Sequence, residues 1–247
     1  MATLEPHIQL SGDLGIKYAL LAGDPARIGR AADHLEGARE LAFHREYRSI
    51  EGIYRGVRIL ALSTGIGGAS MGIALEELHN IGITAAIRIG SGGALQPSIG
   101  LGDLILASAA VRDDGTSLAY APLSFPAVAD PRLFALCVQA AGAQGRPCHI
   151  GLVRSHDSFY TDREEQICRE WSARGVLGAD METAALYTIS ALRGIRAASV
   201  LNNVVLYGAD TAEGIGQYSG GDKAMADGER AEIQTALEAF VRLEGTP

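Results

Sequence analysis

Two glycine-containing segments of the sequence each carry an arginine of the kind that binds oxyanions. Residues 23–27 read Gly-Asp-Pro-Ala-Arg, and residues 88–93 read Arg-Ile-Gly-Ser-Gly-Gly. Glycine lets a ligand approach the backbone closely, and the guanidinium groups of Arg27 and Arg88 present planar sets of donors to phosphate oxygens. The Ser91 hydroxyl and the N–H groups of a glycine-rich loop add further donors. The segments predict a phosphate site, although the first alone is more typical of a β-turn with a solvated arginine.

A group that binds a sugar is indicated at Asp180-Met181-Glu182, which opens an otherwise apolar segment. The Glu182 carboxylate can accept hydrogen bonds from two ribose hydroxyls, and Met181 offers the sugar a soft apolar surface. The same spacing fits a structural role equally well. In that alternative Asp180 caps a helix and Glu182 complements its dipole.

Two further pairs of residues suit a flat nucleobase. Phe159-Tyr160 can stack on a base, although adjacent aromatic residues more often serve packing. Asn202-Asn203 follows a predicted strand, where an amide reads a base edge with both a donor and an acceptor, or stands in a turn. The sequence pattern leaves both alternatives open.

Elements that position these residues are predicted from apolar runs and helical periodicity. The predicted strands are Tyr18–Ala22, Val57–Ser63, Ala85–Ile89, Asp103–Ser108, His149–Val153 and Ala197–Leu201. The predicted helices are Ser70–Ile81, Pro131–Ala143, Glu164–Ala173, Met181–Leu192 and Ala224–Leu243. Their alternation favours one α/β domain, residues 1–247, with a largely parallel sheet covered by helices. The glycine-rich stretch Tyr207–Asp222 is predicted to be a loop, either a lid or an inert connection.

Composition excludes several classes of function. The net charge of −8, without a Lys/Arg cluster, argues against partners such as nucleic acid or an anionic membrane. The sequence has no signal segment and no apolar run of about 18 residues, so a soluble cytoplasmic protein is expected. Its 3 cysteines and 6 histidines lack disulfide or metal-ligand spacing, so no catalytic metal is expected. The absence of GxGxxG and P-loop patterns argues against a dinucleotide-dependent oxidoreductase and an NTPase.

Five motifs in order resemble the nucleoside phosphorylase family, which includes uridine phosphorylases and hexameric bacterial purine nucleoside phosphorylases. They are Gly-Asp-Pro-x-Arg at 23–27, His-Arg-Glu at 44–46, Ser-Thr-Gly-Ile-Gly-Gly at 63–68, Arg-Ile-Gly-Ser-Gly at 88–92, and Met-Glu at 181–182. The resemblance runs from about His7 to the C-terminal helix. It implies a mixed, partly barrel-like sheet flanked by helices and a homo-hexamer built as a trimer of dimers. It also implies inorganic phosphate as co-substrate, with no organic cofactor.

The resemblance also implies roles for individual residues. Phosphate is assigned to Gly23, Arg27, Arg88 and Ser91, with Arg45 reaching in from a neighbouring subunit. Ribose is assigned to Met181 and Glu182, with His7 crossing the dimer interface to the 5′-hydroxyl. The base is assigned to Gly93, Phe159 and Asn203. Glu46, Ile66 and Ser70 match groups around a monovalent cation, which implies a site for structural potassium.

The identity of the base is predicted less consistently. The segment Val111–Ala129 resembles uridine phosphorylases, but after the aromatic pair their Pro-Gly-Gln-x-Arg is replaced by Thr-Asp-Arg-Glu-Glu at 161–165. Arg163 therefore stands where Gln is expected, and Glu165 where Arg is expected. Asn203 can hydrogen-bond O6 and N7 of a 6-oxopurine. The sequence favours inosine or guanosine, with uridine as the alternative and Arg163 as the first candidate for a uracil contact.

The expected reaction is attack of phosphate on C1′ of the ribose through a transition state with oxocarbenium character. Arg88 would orient the phosphate, Glu182 would hold the sugar, and Asn203 would stabilise the departing base. A nucleosidase of the same fold, which uses water, and a non-catalytic nucleoside-binding protein are the competing functions. Three arginines, Arg27, Arg45 and Arg88, favour phosphate over water.

Overall fold

The structure, a computed structural model, describes residues 3–209, 214, 216 and 222–245. Its strands are β1 (Tyr18–Ala22), β2 (Glu36–His44), β3 (Tyr47–Tyr54), β4 (Val57–Ser63), β5 (Ala85–Ala94), β6 (Leu104–Asp113), β7 (Ala127–Val128), β8 (Cys148–His156), β9 (Gly178–Asp180) and β10 (Arg196–Val205). Its helices of six residues or more are α1 (Pro25–Ala32), α2 (Gly68–Asn80), α3 (Gly115–Tyr120), α4 (Pro131–Gly142), α5 (Glu164–Ser172), α6 (Thr183–Arg193) and α7 (Lys223–Glu244). Most of the predicted Tyr207–Asp222 loop lies outside the described residues.

The strands form one mixed sheet that closes on itself at one end. Their order is β10-β6-β8-β9-β5-β1-β4-β3-β2, β7 pairs with β6, and β10 also pairs with β5. The second pairing of β10 joins β5, β9, β8, β6 and β10 into a barrel. Strand β1 is parallel to β4 and β5, whereas β6 is antiparallel to β10 and β9 to β5. The mixed, partly barrel-like sheet implied by the resemblance is confirmed, and the sheet is less uniformly parallel than the alternation of elements predicted.

Several strands extend beyond their predicted ends, and in β5 and β10 the added stretch contains candidate site residues. Strand β5 continues past Ile89 to Ala94, so Gly90-Ser91-Gly92-Gly93 is strand and not the expected loop. Strand β10 continues past Leu201 to Val205 and includes Asn202-Asn203. Glycine and asparagine are uncommon in strands, so local pattern ends both strands too early. Pairing of β10 with β5 along this stretch supplies the hydrogen bonds that keep both chains extended.

The hairpin of β2 and β3 has no counterpart in the predicted elements. Every position of β2 is exposed or half-buried, so the strand lacks the apolar alternation that marks a strand in a sequence. It is held by antiparallel pairing with β3, which pairs in turn with β4. The turn between them carries Arg45.

Apolar cores lie on both faces of the sheet, because successive residues of β1 point to opposite sides. Leu20 packs in the core that α1, α4 and α7 cover, and Leu21 packs in the core that α2 and α6 cover. Helix α7 contributes an apolar stripe to the core, since Ile233, Leu237 and Phe240 are buried. Within the described residues, no helix combines the length and the hydropathy that crossing a membrane requires.

Candidate active site

A cavity of about 790 Å³ lies where the C-terminal ends of β1, β4, β5, β8, β9 and β10 meet. It is lined by many of the residues predicted from the sequence, namely Gly23, Arg27, Glu46, Ile66, Ser70, Arg88, Ser91, Gly93, Phe159, Met181 and Glu182. The sheet order β8-β9-β5-β1 places them in a spatial sequence. The aromatic segment follows β8, the Met-Glu pair follows β9, and the two arginine segments belong to β5 and the end of β1.

The first arginine segment is a strand end followed by a capped helix. The Asp24 carboxylate accepts hydrogen bonds from the backbone N–H groups of Ala26 (2.8 Å) and Arg27 (3.2 Å) at the start of α1. The cap places Arg27 in the first turn, where its Nη2 donates to Ser91 Oγ over 2.7 Å. A Cβ atom on Gly23 would lie 3.0 Å from the Gly65 carbonyl oxygen, so glycine lets the β1 and β4 ends approach. The segment is therefore the N-terminus of a helix and not an isolated β-turn, and Arg27 is buried and not solvated.

Arg88 is held between two carboxylates. It is 3% exposed, its Nε donates to Asp180 Oδ2 over 3.0 Å, and its Nη2 lies 2.6 Å from Glu182 Oε2. Burial opposes the charge on the guanidinium, but Glu182 and Asp180 outweigh burial and keep the pKa of Arg88 above its usual value. Burial raises the pKa of the Glu182 carboxyl, and the contact with Arg88 opposes that rise. We take both groups as ionised because a charged pair at this distance satisfies both partners.

Asp180 and Glu182 divide two tasks at the start of α6. Asp180 Oδ2 accepts from the backbone N–H (3.0 Å) and hydroxyl (2.6 Å) of Thr183, so Asp180 has the structural role that the sequence left open. Glu182 makes no capping bond from its side chain. Its Oε1 accepts from the Gly67 N–H over 2.6 Å, and the residue lines the cavity beside Met181. The Glu182 carboxylate is thus positioned from two sides.

Two buried glutamates of α7 lie next to the Arg27 guanidinium group. No motif in the sequence marks either of them. Glu229 Oε2 accepts from Arg27 Nε over 2.9 Å, and Glu232 Oε1 lies 3.5 Å from the same nitrogen. Glu232 Oε2 accepts from the Gly90 N–H over 3.0 Å. Burial, only partly offset by Arg27, raises the pKa of Glu232 to about 8. The raised pKa favours the protonated form of Glu232 well above the pH at which an ordinary glutamate ionises.

Glu232 is expected to make the protein less stable as pH rises. Between the ordinary carboxyl pKa of 4.5 and about 8 the folded state holds a proton that the unfolded state has lost. The free energy of unfolding should fall across this window, by up to ~1.4 kcal/mol per pH unit from this group. Glu232→Gln, which keeps an acceptor for Gly90, should reduce the difference in unfolding free energy between pH 5 and pH 8 by about 1–3 kcal/mol. Urea titrations at both pH values measure it.

The control for this prediction is Glu170→Gln, because Glu170 is exposed on α5. It should keep the pH dependence of the unmodified protein. An unchanged pH dependence in Glu232→Gln would show that the Glu232 carboxyl titrates alike in the folded and unfolded chains.

The residues predicted for a cation lie together at the edge of the cavity. Ser70 Oγ donates to Glu46 Oε1 over 2.8 Å, and Ile66 is 78% exposed beside them. Hydrogen bonds from its own backbone N–H and from Ser70 hold the pKa of Glu46 below its usual range. The Glu46 carboxylate is thus charged and has acceptor capacity beyond these bonds. Among the described residues, no group of three His, Cys, Asp or Glu side chains is arranged to hold a metal ion.

His7 and Arg45 do not line the cavity of their own chain. The backbone N–H and the Nδ1 atom of His7 contact the Glu77 carboxylate, the latter over 2.6 Å, in a separate pocket of about 260 Å³. Arg45 is exposed in the β2–β3 turn with a φ of 56°, a left-handed conformation that is rare for residues other than glycine. Both residues are thus placed away from the Arg27 and Arg88 cluster.

Asn203, predicted to contact the base and to act in catalysis, does not line the cavity. Its side chain is 0% exposed, and its Nδ2 donates to the Gly100 carbonyl oxygen over 2.9 Å. A β-bulge between Asn203 and Val205 breaks the alternation of side chains at the end of β10, and Val205 and Leu206 line the cavity instead. The Nδ2 atom of Asn203 thus holds the backbone and its side chain lies outside the cavity lining, while its predicted roles in base binding and catalysis stay predictions.

Arg163, the first candidate for a uracil contact, is exposed at the start of α5 and does not line the cavity. The next residue, Glu164, and Cys168 one turn later do line it. His156 at the end of β8 also lines the cavity. Its pKa is lowered, mainly by burial and secondly by the positive charge of Arg154. The i,i+4 spacing of Glu164 and Cys168 is the sequence signal that identifies this face of α5.

Comparisons with known proteins agree with the motifs. Residues 17–236 match the family described as the phosphorylase superfamily. A uridine phosphorylase from Thermococcus kodakarensis is 43% identical over 76% of this chain and 72% of its own length. A uridine phosphorylase from Salmonella typhimurium is 40% identical over 77% of this chain and 81% of its own. A guanosine phosphorylase from Halorubrum lacusprofundi is 34% identical over 79% of this chain and 81% of its own.

The fold agrees with a solved structure over nearly its whole length. A crystal structure of uridine phosphorylase from Vibrio fischeri ES114 superposes with a TM-score of 0.91 and 45% identity, covering 97% of this chain and 98% of that one. Sequence match, fold and the clustering of the motif residues in one cavity lead to the same family. The chain belongs to the phosphorylase superfamily, as its five motifs predicted.

Proposed function

We propose that this nucleoside phosphorylase cleaves uridine with inorganic phosphate, giving uracil and ribose 1-phosphate. The observation that carries the proposal is the meeting of Arg27, Ser91, Arg88 and Glu182 in one cavity that Phe159 also lines. The printed names of the relatives at 43% and 40% identity support uridine as the nucleoside. Phosphate is a co-substrate, and no organic cofactor takes part.

Phosphate is proposed to bind at Gly23, Arg27, Arg88 and Ser91. The Arg27 guanidinium and the Ser91 hydroxyl are already in contact at 2.7 Å, so their donors converge without a large rearrangement. The carboxylates around both arginines hold the guanidinium groups in place before phosphate arrives. Arg45 is exposed and outside its own cavity, which suits a contact with the phosphate of a neighbouring subunit.

Ribose is proposed to bind at Met181 and Glu182, with His7 of a neighbouring subunit at the 5′-hydroxyl. The Glu182 carboxylate accepts hydrogen bonds from the 2′- and 3′-hydroxyls. The hydrogen bond that it accepts from the Gly67 N–H fixes the orientation of the carboxylate. Gly93 and Phe159 line the base end of the same cavity. This division follows the sheet order, which puts the ribose group between the phosphate group and the aromatic segment.

The proposed reaction transfers the ribosyl group from nitrogen to oxygen. A phosphate oxygen forms a bond to C1′ while the bond from C1′ to N1 of uracil breaks, and its electron pair leaves with the base, which then takes up a proton. The positive charge that develops on the ribose is stabilised by phosphate and by the Glu182 carboxylate. Catalysis comes mainly from positioning, because both reactants are held in one cavity.

A 6-oxopurine nucleoside is a second candidate substrate. The guanosine phosphorylase among the relatives supports it, at a lower identity of 34%. Asn203, its support from the sequence, does not line the cavity and donates its Nδ2 to Gly100. Uridine is therefore the leading substrate.

The experiment is a release assay with uridine, thymidine, inosine, guanosine and adenosine, each with and without phosphate, in sodium and in potassium buffers. Uridine should be cleaved fastest, and only with phosphate. Faster guanosine or inosine cleavage would contradict the choice of uracil as the base, and release without phosphate would indicate a nucleosidase.

We also propose a hexamer of three dimers and a potassium ion at Glu46, Ile66 and Ser70. Equal activity and melting temperature in both buffers would contradict the ion.

A further inference from the structure

The base end of the cavity is mostly apolar, with few polar side chains to read a base. Phe159, Met181, Val205 and Leu206 supply apolar surface there. Among the described residues, three polar side chains line the cavity between the end of β8 and the end of α5. They are His156, Glu164 and Cys168. Glu164 is the one acidic residue of this group.

The Glu164 carboxylate has acceptor capacity to spare. Its Oε1 atom accepts a weak hydrogen bond from Cys168 Sγ over 3.3 Å. Its Oε2 atom is shielded from water, and no donor of the described residues bonds to it. Its neighbours in the sequence differ, since Glu165 is exposed and paired with Arg169. Glu164 lines the cavity, whereas Glu165 and Arg169 do not.

His156 adds a second constraint at this end. Its Nδ1 lies 2.9 Å from the Ser158 carbonyl oxygen, which can only accept, so the neutral ring carries its proton on Nδ1. Nε2 of that tautomer is an acceptor and cannot satisfy Glu164. Among the described contacts, the Glu164 side chain thus accepts only from Cys168, which leaves acceptor capacity for a donor of a ligand in the cavity that Glu164 lines.

We infer that Glu164 sets base specificity by accepting the ring N–H that stands beside a carbonyl group. In uracil this is N3–H next to O4, and in a 6-oxopurine it is N1–H next to O6. Cytosine and adenine present a bare acceptor nitrogen at the same place, which would face the carboxylate with lone pair against lone pair. An ionised carboxylate only accepts, so it selects the oxo bases and rejects the amino bases. The inference rests on the proposed function and names the group that recognises its base.

Two nucleosides that lack the N3–H of uridine test this role in the unmodified enzyme. 3-Methyluridine lacks the N3–H of uridine, and cytidine replaces it with an acceptor. With saturating phosphate, kcat/KM for each should be lower than for uridine by about 100-fold or more, because a site built for a donor rejects analogues that lack it. Equal cleavage of uridine and 3-methyluridine would overturn the inference whatever any variant does.

The variant Glu164→Gln separates recognition of the N–H from exclusion by size. Its amide can turn either an acceptor or a donor toward the base, so the kcat/KM ratio of uridine to cytidine should fall by about 10-fold or more. Glu165→Gln, a change of the same kind at the exposed neighbour, should leave the ratio unchanged. A folded Glu164→Gln enzyme that keeps the original ratio would overturn the inference.

The same test distinguishes this inference from the proposed function. If uridine is not cleaved but inosine is, the choice of uridine fails. The role of Glu164 is then tested by comparing kcat/KM for inosine with kcat/KM for 1-methylinosine and for adenosine. Loss of discrimination in Glu164→Gln on either set of substrates supports the role of Glu164.

Discussion

Replacing Arg88 with alanine is expected to lower the free energy of unfolding by about 3–5 kcal/mol, because it leaves buried carboxylates without their cation. Arg88 is 3% exposed and contacts Asp180 at 3.0 Å and Glu182 at 2.6 Å. Both carboxylates are buried as well. Urea unfolding at pH 7.5, with the apo protein, measures the loss.

The matched control is Arg58→Ala, which removes an ion pair to Glu51 from an arginine that is half exposed. Such surface pairs contribute about 0–1 kcal/mol, so the control should be nearly neutral. An equally small effect of Arg88→Ala would contradict an ionised buried cluster. Arg88→Lys keeps the charge but loses the planar fork of donors, so it should recover stability yet raise the phosphate KM by about 10- to 100-fold.

Mixing two inactive variants is expected to restore about a quarter of the activity of the unmodified protein, if neighbouring subunits share their sites. Arg45→Ala and Glu182→Gln should each be strongly impaired alone. In a random mixture about half of the dimers carry one chain of each kind, and one of their two sites keeps both residues. The physical basis is that Glu182 lines the cavity of its own chain, whereas Arg45 is exposed and does not.

The activities of two samples should be compared. In the first, the two variants are unfolded and refolded together, and in the second they are refolded separately and then combined. A mixture of Ser91→Ala with Glu182→Gln is the control, because both residues line the same cavity. If Arg45 acts in its own chain, co-refolded Arg45→Ala and Glu182→Gln would gain nothing over the separate preparations. A monomer with full activity would also contradict sharing.

The sequence predicted the members of the cavity better than it predicted how they are held. Motif spacing identified Arg27, Arg88 and Ser91 because these residues lie where apolar runs of the sequence give way to glycine. The structure adds carboxylates that are far away in the chain, such as Glu229, 202 residues after Arg27. Local periodicity assigns a glutamate of an amphipathic helix to the solvent side, so it misses a glutamate that is buried by an arginine from another element.

The base end shows where the resemblance stopped being informative. Asn203 was assigned from its place after a strand, but β10 continues through it and a bulge follows. A bulge changes which side chains face the cavity, and neither residue type nor spacing reveals it. In the same way, the sequence predicted a helix that begins at Glu164, as α5 does, but the alignment of Arg163 with a family glutamine did not reveal that Glu164 lines the cavity and Arg163 does not.

The most direct test of the central claim is a phosphorus NMR measurement of the protein with uridine and inorganic phosphate. Transfer of the ribosyl group to phosphate predicts a ribose 1-phosphate signal that grows in step with released uracil, while the inorganic phosphate signal falls by the same amount. Uracil release with free ribose and unchanged phosphate would contradict the claim, because Arg27 and Arg88 would then serve a hydrolase. No release from any nucleoside would contradict catalysis altogether.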